Sequence, residues 1–358
     1  MKLNFTMAAA VLAGLLITSS CQKNATRTGS DNGAAKPENS LTNFFSNQNL
    51  SNLTSNAYWD PQDDLSARQA ESSNPNLTSF TYLEAALDAT GLDAALEGLD
   101  AYTLFAPSDQ AFINAGFPTI DDLLAIGNDA LSSILLYHVI GGAKIPAADV
   151  PAGPNAEVAS LNTATLYLTK KTSPELKVHV NGAGVYIPDY DNGNGIIHCI
   201  NKVLLPPAGN LVESAIANPD LSYLVAAVVR ASEGSTNVAE VLSGEGPFTL
   251  FAPTNQAFIN AGFPTIESIN AADPDALAAI LTYHVIAARV FAIDIPSTGL
   301  MPAMLNTQTT DITTEKLLRA RNIYVQGAQN ASASMVTKKN IVSTNGVTHI
   351  IDQVLLPD

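Results

Sequence analysis

The chain has 358 residues, 46% of them hydrophobic and 14% charged, with a formal net charge of −16. That length allows two domains with separate cores, and the apolar content excludes a largely disordered polyelectrolyte. Seventeen basic residues scattered along an acidic chain also exclude nucleic acid as a partner, because phosphate binding needs clustered Lys and Arg.

In chain order, the first segment is an export signal over residues 1–20. Lys2 is its only charge, Met7–Ile17 is an unbroken run of apolar and small residues, and Thr18, Ser19 and Ser20 lead into Cys21. That run is too short to cross a bilayer as a helix. Cys21 resembles the cysteine of a bacterial lipobox, which implies lipid attachment there. The expected location is therefore exported and lipid-anchored at the cell envelope, at the outer membrane or cell surface, with the membrane touched through the anchor only. Cys199 is then left without an intramolecular disulfide partner.

Residues 21–75 are rich in Asn, Ser, Thr, Asp and Gln, and their isolated apolar residues show no period. This composition predicts a flexible tether. Trp59, the single tryptophan, interrupts it, either docking on the first domain or meeting a partner; local burial favours docking.

Beyond the tether the chain repeats itself. Thr103–Ile120 reads TLFAPSDQAFINAGFPTI and Thr249–Ile266 reads TLFAPTNQAFINAGFPTI, identical at sixteen of eighteen positions. The echo continues through Tyr137-His138 and Tyr283-His284, and each copy closes with NGxxHxIxxVLLP, beginning at Asn194 and Asn345. The repeat is too long for a solenoid. It marks two copies of one globular domain, over 76–208 and 209–358.

Within each copy the local chemistry is readable. Thr103-Leu104-Phe105-Ala106 is a short apolar strand broken by Pro107. Ser108 is a natural N-cap, Asp109 suits the first helical turn, and Gly116 is a natural stop. Leu131, Ile134, Leu135 and His138 fall at helical spacing, as do Leu277, Ile280, Leu281 and His284, so both histidines are predicted on buried faces. The closing segments alternate β-branched residues after an Asn-Gly turn. Helices early and strands late in each copy predict an α+β domain.

The TLFAP segment, the Tyr-His pair and the NGxxHxIxxVLLP strand resemble the hallmark regions of fasciclin-like domains, in order and twice. The resemblance implies two tandem domains, each a β-sheet wedge packed with several helices, and a role in extracellular adhesion or matrix attachment. In some members of the family the region around the Tyr-His pair is tied to receptor contact. Tyr137, His138, His198, Tyr283, His284 and His349 are the matching motif residues here, with a structural role expected.

Catalysis and cofactors find little support. Pairing His138 with His198, or His284 with His349, leaves no repeated third ligand for a metal. Asp189–Gly195 looks like a calcium loop, but Asn194 stands at the place that needs glycine and Ile200 at the place that needs glutamate. Cys199 is replaced by Ile350 in the second copy, which marks a core position. The expectation is a noncatalytic surface adhesion or binding lipoprotein, without catalytic residues, metal or cofactor, whose partner is a cell-surface or matrix protein or polysaccharide. The alternative is a carbohydrate-binding accessory lipoprotein of a glycan-uptake system, which needs an exposed aromatic platform from Trp59, Tyr186 and Tyr190.

Overall fold

A computed structural model describes residues 41–46, 79–172, 177–317 and 320–358. In the first copy the helices Thr81–Thr90 and Leu92–Glu97 lead to β1 (Tyr102–Pro107). The helices Asp109–Asn114, Ile120–Leu124 and Asn128–Tyr137 follow, then β2 (Val139–Gly141). The remaining strands are β3 (Gly153–Ala159), β4 (Thr165–Lys171), β5 (Lys177–Val180), β6 (Ala183–Asp191) and β7 (Gly195–Ile200). The second copy opens with the helices Leu211–Ile216, Ser222–Ala231 and Val238–Ser243, then β8 (Phe248–Pro253). After the helices Asn255–Asn260, Ile266–Asn270 and Pro274–Thr282 come β9 (Val285–Ile286), β10 (Asp311–Leu317), β11 (Ala320–Gln326), β12 (Ser334–Ser343) and β13 (Gly346–Ile351). The described residues thus form two sheets of one plan, ordered β2-β1-β7-β6-β5-β4-β3 and β10-β11-β12-β13-β8-β9. Both copies have the α+β architecture expected from the repeat.

The repeated motifs lie at the centre of each sheet. The TLFAP strand β1 runs parallel to the closing strand β7, from Tyr102 opposite Gly195 to Pro107 opposite Ile200. Strand β8 pairs with β13 in the same way, from Phe248 opposite Gly346 to Pro253 opposite Ile351. Every residue of β1 is buried. Leu104 and Ala106 face the core made with the helices, while Phe105 joins Tyr137, Leu166 and Val180 on the other side of the sheet. Two-sided burial is why the strand reads as a continuous apolar run.

The caps follow the motif. Ser108 accepts a hydrogen bond from the Ala111 amide at 3.3 Å, and Thr254 accepts one from Ala257 at 3.2 Å. Asp109 and its counterpart Asn255 act one helix earlier: the Asp109 carboxylate takes the Tyr82 amide at 3.0 Å, and the Asn255 side chain takes that of Tyr223 at 3.0 Å. The closing Asn-Gly pairs serve two ends. Asn194 donates to the Leu99 carbonyl at 2.9 Å, and Asn345 to that of Gly244 at 2.8 Å, holding the chain that leaves the preceding helix. Gly195 is required by a close approach, since a Cβ there would overlap the ring of the fully buried Tyr102.

Of the expected tether, the structure describes Leu41–Ser46, which is a helix. Leu41 and Phe44 are buried in the first domain's helical core, and the Phe44 ring lies 4.9 Å from Phe80 and 5.1 Å from Tyr190. Two apolar side chains give this short polar-flanked stretch enough to bury, which composition averaged over the whole segment conceals. Cys21 and Trp59 lie outside the described residues.

The two domains pack on each other. Tyr167 of β4 meets Phe291 and Val347 of the second domain in one buried cluster. The Arg289 guanidinium sits 4.0 Å over the Tyr167 ring and donates to the Gly346 carbonyl at 2.5 Å. Asn155 donates to the Arg289 carbonyl at 2.7 Å, and the Lys171 ammonium donates to that of Ile293. The β5–β6 hairpin turns on Asn181 and Gly182, both with positive φ, 50° and 75°, as a type I′ turn requires. Its tip presses on the second domain: a Cβ on Gly182 would overlap the Asn340 amide.

Candidate functional site

The motif residues singled out in the sequence are core residues in both copies. Tyr137 and Tyr283 are fully buried, and His138, His198, His284 and His349 are at most 1% exposed. Tyr137 donates to the Thr165 carbonyl at 2.9 Å and accepts from Asn181 at 2.8 Å, so the end of its helix is tied to β4 and to the hairpin tip. Tyr283 donates to the Thr309 carbonyl at 2.9 Å and accepts from the Ala328 amide at 3.2 Å. Burial pushes the Tyr137 phenol up to about 12.

The histidines fall into two pairs with opposite tautomers. The Leu204 amide donates to Nε2 of His138 at 2.8 Å, which makes that nitrogen an acceptor. Its Nδ1 therefore carries the proton and donates to the Ile134 carbonyl at 2.8 Å. His284 repeats the arrangement with Leu355 and Ile280, each at 2.8 Å. His198 and His349 are reversed. Their Nδ1 atoms accept from the amides of Asp189 at 3.2 Å and Asn340 at 3.3 Å, and their Nε2 atoms donate to Ile145 and Val290 at 2.9 Å. Burial lowers His138, His284 and His349 to about 4, and lowers His198 as well, so all four rings are neutral near pH 7. Both nitrogens of every ring are engaged by backbone, and the His138–His198 and His284–His349 pairs do not assemble a metal site. Among the described residues no three His, Cys, Asp or Glu side chains converge on one point.

The other candidates are placed as clearly. Cys199 is fully buried, and burial pushes its thiol well above the ordinary range. Asp191 accepts from the Lys144 ammonium and the Gly193 amide, each at 2.9 Å, and the Lys144 bond holds its carboxyl below the ordinary value. Asp189 takes the Ala147 amide at 2.7 Å, so both acids of the 189–195 segment are engaged within the protein. The aromatic platform is corrected by the structure: Tyr186 is buried at 3% exposure within the helical core, and Tyr190 packs edge-on against Phe44. Tyr190 is half-buried there and Tyr186 enclosed.

Sequence reasoning missed the surfaces between the domains. A cavity of about 360 Å³ opens between the closing segment of the first domain and the first helix and β12–β13 of the second, lined by Val203, Leu204, Leu205, Ala215, Leu221 and Ile341 among others. Lys202, Lys338 and Lys339 also line it. A signal existed in the repeat itself. Asp189 and Asn340 make equivalent hydrogen bonds, to Ala147 and Ala292, which places Lys338 and Lys339 opposite Ile187 and Pro188. Lys202 likewise stands opposite Gln353. Each lysine replaces an uncharged residue of the other copy.

The family model described as Fasciclin domain matches residues 78–206 and 220–357. Periostin of Homo sapiens is 31% identical over 288 residues, covering 76% of this chain and 30% of its own length. Protein sll1483 of Synechocystis sp. is 34% identical over 159 residues, 44% of this chain and 79% of its own. A solved fasciclin-domain pair from the insect cell adhesion molecule fasciclin I covers 77% of this chain and 96% of its own at 18% identity, with a TM-score of 0.37. The chain spans about a third of the length of periostin and of the transforming growth factor-beta-induced protein ig-h3 of Sus scrofa, at 30% and 36%.

Proposed function

The chain belongs to the fasciclin-domain family, and from that premise we propose that it is a noncatalytic surface-binding lipoprotein that attaches a cell to a protein or polysaccharide outside it. One observation carries the reading: in both copies the residues the motifs share are engaged in the core and by backbone hydrogen bonds. Binding therefore falls to the surfaces where the copies differ, which a rigid scaffold presents. The buried Tyr137-His138 and Tyr283-His284 pairs act by shaping those surfaces rather than by touching a partner. Anchoring is supported by the Lys2 start, the apolar Met7–Ile17 run and Cys21. The runner-up, glycan capture on an aromatic platform, loses Tyr186 to burial, and Tyr190 is half-buried against Phe44.

Cells expressing the whole chain are compared with cells expressing Cys21→Ser, for fractionation and for adhesion to coated matrix proteins and polysaccharides. The native chain should stay with the membrane fraction and raise adhesion several-fold. The variant should appear in the medium and leave the cells non-adherent. Membrane retention of the variant defeats the anchor, and unchanged adhesion on removing the protein defeats the binding role.

A further inference from the structure

We propose that the cavity between the domains binds an anionic amphiphile: a molecule with an aliphatic body and a single carboxylate head. The inference goes beyond surface adhesion and does not depend on it.

The floor is aliphatic. Val203 and Leu204 are buried beneath it, and Leu205, 56% exposed, stands at its side. Across the opening, Ala215 and Ala217 line the wall from the helix Leu211–Ile216 and its C-cap. Among the described residues few large hydrophobic side chains are as open as Leu205, which lines the hollow. Its volume, about 360 Å³, lies within the range of small-molecule sites, roughly 300–1,000 Å³. No aromatic ring is among its lining residues, so nothing there would stack on a base or a sugar face. An aliphatic body is what the walls suit.

The rim supplies the second half of the recognition. In a chain of net charge −16 the lining holds three lysines and no acid. The polar residues beside them are engaged within the protein: Asn181 with the Tyr167 amide and the Tyr137 hydroxyl, Ser214 with Ser343, and Asn340 with the Ala292 amide. Lys202 donates to the Lys339 carbonyl at 3.3 Å, and Lys339 to the Arg321 carbonyl at 2.7 Å. Lys338 is exposed, on the stretch of β12 where the register with β13 shifts; such an irregularity re-aims side chains. An ammonium is a compact point charge that attracts an anionic head without requiring a bidentate geometry. Lysines around an aliphatic hollow therefore select a lone anionic head whose tail is buried.

The probe is dodecanoate below its micelle concentration, with dodecyltrimethylammonium and acetate as controls, titrated calorimetrically into the whole chain. Dodecanoate should saturate one site, the cationic analogue should bind at least tenfold more weakly, and acetate should give no measurable heat. The double variant Lys202→Glu/Lys338→Glu should lose dodecanoate binding by tenfold or more and gain the cationic analogue. Leu205→Gln, at an exposed position, is the second variant should the double one fail to fold. It should weaken dodecanoate while leaving the preference for the anion. Equal binding of both head groups, full retention by either folded variant, or absence of saturable binding overturns the proposal.

Discussion

His138, His198, His284 and His349 each join two backbone groups far apart in the chain, and each does so as a neutral ring. Replacing His284 with alanine orphans the Leu355 amide inside the core and takes from the Ile280 carbonyl one of its two donors, leaving the Tyr283 amide at 3.1 Å. The expected loss is about 1–3 kcal/mol, read as a lowered denaturation midpoint. The same rings make stability depend on acid. The folded values of about 4 for His138, His284 and His349 lie below the ordinary 6.5, so between them the unfolded chain binds protons that the folded chain refuses. Their contribution is full above pH 6.5 and is lost as pH falls through 4, at up to about 1.4 kcal/mol per pH unit for each ring. Urea unfolding between pH 7 and 4.5 should show that slope, and His284→Gln should flatten it by one ring's share. A slope identical in the variant would refute the assignment. The burial of His138 and His284 was legible from helical spacing. Their partners were not, because Leu204 and Leu355 reach the rings through tertiary packing that no local pattern encodes.

At the scale of elements, caps and central strands were legible because Ser108, Thr254 and Pro107 act within a few residues of where they stand, whereas Asn194 and Asn345 also hold carbonyls about a hundred residues earlier in the chain. The contact between domains was not, although it rests on a dipeptide of strong local meaning. Asn181-Gly182 suits a two-residue hairpin, but nothing local says that its tip meets Asn340 and Phe291. Gly182→Ala introduces a Cβ into the Asn340 amide and a side chain at φ 75°, so it strains the hairpin and wedges the interface together. Arg289→Ala removes the cation over Tyr167 and the bond to Gly346 without changing the turn. Both variants should separate the calorimetric transitions of the two domains, and Arg289→Ala should do so without shifting the first domain's own midpoint appreciably. A single unchanged transition in both would show that the interface contributes nothing to coupling. The lysines of the cavity belong to this same class: visible as departures between copies, meaningless until the domains are placed side by side.

In the whole molecule the interface holds two related scaffolds in one orientation, so their outer surfaces are offered at fixed spacing rather than as independent modules. The parallel pairing at the heart of each domain has a further consequence, for a protein pulled from its ends. Tension enters β1 at Tyr102 and leaves β7 at Ile200, opposite ends of two strands that run the same way; β8 and β13 repeat the geometry from Phe248 to Ile351. Force along the chain then slides the strands past each other and loads every ladder bond together, whereas antiparallel neighbours pulled from one end unzip bond by bond. The rupture force is set by the unfolding barrier and not by equilibrium stability. Single-molecule stretching should therefore show two events of similar, high force, preceded by weaker release of the helices ahead of β1 and β8. Low-force, gradual extension would contradict the shear geometry. Duplicating the domain duplicates the clamp in series, so a tether built this way can yield one domain under load and keep its grip with the other.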